Sequence, residues 1–172
     1  MKYVRRFAAF FAKKLVLFVL VAALLIYVFY MAYGMGDAYI IVNEGMEKRV
    51  RVCLTREDYT ALNGYFTVEF LQKDPVLAVA VSEDSPYYAY SITDFKYQLD
   101  LSSIRWHPMD KTIDCTVTEH VSDITGTSKT AKADEIPAWK QGRYFVKLKK
   151  QKDGKWKITS IKQDMTYKDV DV

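Results

Sequence analysis

LVLFVLVAALLIYVFYMAY, residues Leu15–Tyr33, divides the chain into parts that need separate explanations. The run holds no charge, proline or glycine. At about 1.5 Å of rise per residue, a helix of this length covers the roughly 30 Å hydrocarbon core of a bilayer. It reads as a single transmembrane helix, with Leu15, Leu20, Leu25, Tyr30 and Tyr33 among the anchoring residues and the lipid bilayer as its partner.

The flanks give the span a direction. Lys2, Arg5, Arg6, Lys13 and Lys14 precede it, and the first acidic residue is Asp37. Cationic side chains are retained on the cytoplasmic side, so the amino terminus belongs inside and everything after the span outside. Residues 1–14, MKYVRRFAAFFAKK, form a basic cytoplasmic tail whose Phe7, Phe10 and Phe11 suit the inner headgroup layer. A cleaved secretory signal is the alternative, because Ala32 and Gly34 offer small residues at a cleavage spacing. Its apolar core would be unusually long, since such cores run about 7–15 residues.

Charge also divides at the membrane. Five of the 25 basic residues and none of the 21 acidic ones lie in residues 1–36, leaving 20 basic against 21 acidic, a net charge of −1, in the remainder. The high isoelectric point therefore belongs to the tail, and a nucleic-acid partner loses its support. Cys53 and Cys115 both fall in the external part, in apolar settings where a disulfide and two buried free thiols are both open.

Residues 15–36 comprise the span and a short linker loosened by Gly34 and Gly36, and a domain of residues 37–164 follows. A helix starting at Asp37 is predicted by the recurrence of Tyr39, Val42, Met46, Val50 and Cys53, although Val50, Val52 and Leu54 also alternate as in a strand. Glu44, Glu47, Lys48, Arg49 and Arg51 read as its solvated face. Thr55 is the expected N-cap of a second helix, ahead of Glu57 and Asp58. That helix carries Tyr59, Leu62, Phe66 and Phe70 on one face, splits near Asn63-Gly64 with Thr67 capping the second piece, and stops at Pro75. PVLAVAVSEDS, residues 75–85, is a short helix or a connection.

Strand signals begin at Tyr87. Phe95, Tyr97, Leu99 and Leu101 alternate, and the parity slips before Ile104 and Trp106, which predicts a bulge near Ser102. After a turn at His107–Asp110, a second strand covers Thr112–Val121, and the small polar run 122–133 reads as an exposed loop. Asp153-Gly154 joins strands Arg143–Lys150 and Lys155–Gln163 in a hairpin. Residues 165–172 form a polar tail. The fold class is α+β: helices packed on a curved four-stranded antiparallel sheet.

This order resembles the nuclear transport factor two-like, or cystatin-like, cone-shaped superfamily. The resemblance rests on Leu62–Leu71, on Arg105-Trp106-His107-Pro108, and on Tyr144–Leu148 with Gly154–Ile158. A span joined to such a domain is also similar to inner-membrane assembly factors of type IV secretion and conjugation machines. That similarity implies a bacterial, non-enzymatic scaffold that meets protein partners or further copies of itself in an envelope complex.

Few residues carry chemistry. His107 and His120 have no metal partners at useful spacing, and no phosphate-cradling loop, Ser-His-Asp signature or cofactor motif is present. Glu119 shares the apolar parity of Val117 and Val121. It reads either as a strand end reaching water or as a buried pocket acid, the one candidate for isomerase- or dehydratase-like activity. Phe66, Tyr97, Trp106, Glu119 and Trp139 are the candidate ligand or interface residues, with a small apolar ligand, lipid or wall polymer as the alternative occupant. Six lysines, 147, 149, 150, 152, 155 and 157, surround the hairpin, where they solubilise an edge or meet anionic polymers.

Overall fold

The computed structural model describes residues 2–129 and 135–166, and of residues 2–11 only the Phe10 side chain. The chain forms two compact units, 1–36 and 37–172. Helix α1 is Lys2–Thr55, followed by a 3-10 helix at Tyr59–Gly64, α2 at Val68–Leu71 and α3 at Pro75–Val81. Strands β1 (Tyr90–Arg105), β2 (Thr112–Ser128), β3 (Gly142–Lys150) and β4 (Trp156–Gln163) form one open antiparallel sheet in the order β1-β2-β3-β4. The class is α+β.

In the first unit, the apolar residues Leu15, Leu20, Leu25, Tyr30 and Tyr33 are exposed. Among the described residues, one helix is long and apolar enough to cross a membrane, and this run lies within it. No linker follows the run, because residues 34–36 are helical. Glycine in a helix costs about 1 kcal/mol against alanine, and no proline occurs before Pro75 to stop the helix outright.

Within the second unit, Ala38, Val42, Met46 and Val50 recur every four residues and are buried, together with Cys53 and Leu54. Tyr39, expected on this face, is exposed, and Ala38 takes the inward place. Gly45 has a packing role: a Cβ there would come within 3.1 Å of both Ile158 Cδ1 and Tyr65 Cβ. Val50 and Leu54 join Tyr87, Ile92, Phe95 and Val121 in a core cluster between helix and sheet.

Thr55 ends α1 rather than capping the next helix. Its hydroxyl donates back to the Arg51 carbonyl, and Arg56 leaves the helix with φ 60°. Arg56 is held there by its guanidinium, which donates to the Ala80 and Val81 carbonyls and stacks 4.6 Å from the Tyr88 ring. The cap falls three residues later, at Asp58, which accepts from the Thr60 amide. The expected split occurs, with Thr67 at the N-cap position of α2. Leu62 and Phe66 are buried, but Tyr59 is exposed. Pro75 does not simply stop a helix. It opens α3 in its first turn, where a missing N–H costs nothing.

β1 starts at Tyr90 rather than Tyr87. Its pairing with β2 slips between Leu101 and Ser103, where the bulge is predicted, and again on both sides of Asp94. β2 runs seven residues past Val121, so residues 122–128 are strand and not loop, paired with Tyr90–Lys96. Most of their side chains are polar because this end of the sheet is wet, and the one apolar side chain, Ile124, packs against the core cluster. Gly126 belongs there because a Cβ would meet the Ser91 carbonyl at 2.4 Å. Residues 130–133 of the expected loop and 167–172 of the expected tail lie outside the described residues.

The 153–154 hairpin forms as predicted, with Gly154 at φ 84°. Its inner face carries Val146, Leu148, Trp156 and Ile158, all buried. Backbone bonds from Thr67 N to the Ile158 carbonyl and from Ile158 N to the Tyr65 carbonyl cover part of the outer edge of β4. Cys53 and Cys115 are buried free thiols, so no disulfide links them. Three of the hairpin lysines have partners: Lys147 with Asp114, Lys150 over Trp156, and Lys157 with the Asn63 carbonyl.

Candidate functional site

Asp74 performs two tasks at the start of α3. Its Oδ1 accepts from the Val76 amide as a cap, and its carboxylate receives two bonds from Arg49, at 2.6 and 3.0 Å. Both residues are 4% exposed. Burial opposes the Arg49 charge, but the hydrogen bonds and charge of Asp74 outweigh it and hold the guanidinium protonated. Arg49 therefore belongs to the interior and not to the solvated face of α1. It lies three residues after Met46 and four before Cys53, a helical position on the apolar stripe that sequence patterning already marks.

Opposite this pair, the irregular segment 135–141 is fastened to the sheet at three points. Tyr90 Oη donates to the Glu135 carbonyl at 3.1 Å, His120 Nδ1 lies 2.8 Å from Gln141 Oε1, and Trp139 Nε1 donates to Glu119 Oε1 at 2.9 Å. Glu119 is 0% exposed, which overturns the reading of a strand end reaching water. The extension of β2 to Ser128 is the reason: Glu119 sits mid-strand with its side chain inward. Burial pushes its carboxyl above the ordinary carboxylate range, while Trp139, Arg49, Tyr97 and His120 partly restore the charged form. Glu119 Oε2 and Tyr97 Oη are buried without a partner in hydrogen-bond geometry among the described residues, although the phenol is near enough to favour the carboxylate.

Between these two constructions lies a cavity of about 900 Å³, near the upper end of the roughly 300–1,000 Å³ typical of small-molecule pockets. Arg49, Cys53 and Asp74 contribute to its lining from the protein interior. One wall comes from Phe70 and from Pro75, Val76, Val79 and Ala80 of α3. Tyr87 and Trp139 stack with ring centroids 6.3 Å apart and supply an aromatic wall. Tyr144 of β3 and Thr159–Gln163 of β4 line it from the sheet. Exposed Lys73, Lys140, Lys162 and Glu69 stand where the lining meets solvent. Burial pushes the Cys53 thiol and the Tyr87 and Tyr144 phenols up to about 12, so none ionises readily.

The five candidate residues separate into two groups. Tyr97, Glu119 and Trp139 come together, and of these Trp139 lines the cavity. Phe66 and Trp106 do not join them. Phe66 is fully buried, stacked on Phe70 at 5.2 Å and bridged to Ile158, while Trp106 meets Trp156 edge-on at 6.4 Å. Both are core residues. Arg49, Asp74 and the three cavity lysines are not among the sequence candidates. The sequence does carry one signal for Asp74, an Asp-Pro pair opening an apolar run, which marks a capped helix start.

Among the described residues, no group of three or more His, Cys, Asp or Glu side chains could hold a metal ion. His107 is exposed, and His120 lies 3.6 Å from Asp100. No protein-family model, curated protein or solved structure matches the chain.

Proposed function

We propose that this is a single-pass membrane protein whose domain, residues 37–164, is a non-enzymatic binding module for a small apolar ligand. The cavity carries this reading: it is large, mostly apolar, and walled by Val79, Tyr87, Trp139 and Ile161. Of the buried ionisable groups near it, Arg49 is paired with Asp74 through two bonds and Glu119 accepts one bond from Trp139. The exposed run 15–33 supports the membrane anchor, and the basic residues before it support an inside amino terminus with the domain outside the cytoplasm.

Native mass measurement of the full-length chain tests the binding role. The expected result is one retained small molecule, lost in Val79→Trp, which narrows the cavity from an exposed position on α3. A wild-type chain that carries no added mass under gentle release overturns it. Protease added outside intact cells should digest the domain, and protection of the domain would reverse the topology.

A second reading is a scaffold in an envelope or conjugation complex, related in architecture to the cone-shaped superfamily. It is favoured by β1, a sixteen-residue strand at the edge of the open sheet, since such edges accept a further strand. Extraction as a lone monomer without partners would count against it.

A further inference from the structure

We propose that the ligand is a single-chain amphiphile with an anionic head, its chain lying between α3 and Trp139 and its head at the mouth of the cavity; this deepens the binding reading and rests on it. The argument is one of charge and saturation. Lys73, Lys140 and Lys162 line the cavity and are exposed, with Glu69 as the acidic residue beside them. Among the described residues none of the three lysines has an ion-pair partner.

Arg49, the other lining cation, has its charge met by two bonds from Asp74 in the interior. It offers no free charge to an incoming anion. The cavity therefore has an apolar body, a neutralised interior and a mouth with an excess of two positive charges, from three lysines against Glu69. A neutral hydrocarbon satisfies the walls and leaves the mouth unmatched. A cationic amphiphile is repelled there. A chain ending in a carboxylate or a phosphate satisfies both regions.

The test uses the full-length chain in phosphatidylcholine nanodiscs, with three photoreactive probes of equal chain length: a diazirine hexadecanoate, hexadecyl phosphate and hexadecanol. After irradiation, adducts are mapped by peptide mass. The two anionic probes should label the peptides holding Val79 and Trp139 about tenfold more than the alcohol, as three exposed ion pairs together allow, and added salt should shrink the difference.

Lys73→Gln/Lys140→Gln/Lys162→Gln should abolish the preference while leaving alcohol labelling and the unfolding temperature unchanged, since these exposed side chains hold no part of the fold together. A preference for the hexadecanoate or the phosphate alone supports the proposal and identifies a free fatty acid or a single-chain lysophospholipid as the source. Equal labelling by all three probes in the wild type overturns the anionic assignment while the binding reading stands. Absence of cavity adducts from every probe overturns both.

Discussion

The Trp139 indole donates to Glu119 at 2.9 Å and thereby joins an irregular segment to the middle of β2. The bond gives a fully buried carboxyl one satisfied oxygen and fixes one aromatic wall of the cavity. Tyr87, stacked on the other face of this arrangement, completes that wall.

Stability should fall as pH rises through the Glu119 titration. Burial raises this carboxyl, against the opposing effects of Trp139, Arg49, Tyr97 and His120. The folded protein then holds a proton that the unfolded chain releases, so the stabilisation is full below the ordinary carboxylate range and is lost above the raised folded value. Urea unfolding at a series of pH values should show the decline, and Glu119→Gln, which keeps an acceptor for Trp139, should flatten it. Glu119→Leu leaves the indole without an acceptor and should cost about 1–3 kcal/mol.

Asp74→Ala should be among the most damaging single changes in the domain. It strands the Arg49 charge in the interior and removes the cap of α3. Breaking a buried pair from one side costs about 3–5 kcal/mol. Chemical denaturation would register the loss, and the cavity should lose its α3 wall in the same variant. Replacing both partners, with Arg49→Met and Asp74→Asn, should recover much of the deficit, because no unpaired charge remains.

Both cysteines should titrate as free thiols, and only after unfolding. Cys53 and Cys115 are buried, and burial pushes each thiol up to about 12. Thiolate, the reactive form, is therefore scarce at neutral pH. A charged thiol reagent should react slowly with native protein and rapidly in denaturant, with the same endpoint whether or not a reductant is used first.

Much of this fold was legible because its signals are local. Asp153-Gly154 between alternating runs specifies the hairpin, and the parity slip at Ser102 reports the bulge within one strand. Glu119 was visible too, since it shares the parity of Val117 and Val121, but only the length of β2 decides whether that end of the strand is wet. Residues 122–128 lack the apolar alternation of a strand because what specifies them is backbone pairing with β1. The Arg49–Asp74 pair joins positions 25 residues apart, and local patterning cannot announce such a partner. The cavity is assembled from α1, α2, α3, the 85–87 and 138–140 segments and two strands, so no contiguous motif marks it.

Gly126→Ala offers a test of the extended strand. A Cβ there would press on the Ser91 carbonyl and on the Ile92 Cα, both backbone atoms that cannot step aside. The expected cost is about 1–3 kcal/mol, the range for overpacking. Amide exchange should quicken at the Tyr90–Asp94 end of β1 in this variant and remain unchanged around the 153–154 turn.

The cavity as a binding site can be tested most directly by quenching of Trp139 with dibromostearate, using the full-length chain in phosphatidylcholine nanodiscs. Bromine quenches on contact, and Trp139 lines the cavity while Trp106 and Trp156 pack against each other in the core. Saturable quenching that disappears in Trp139→Phe is the predicted result. Emission that does not respond to the probe, or quenching that persists undiminished in Trp139→Phe, would contradict it.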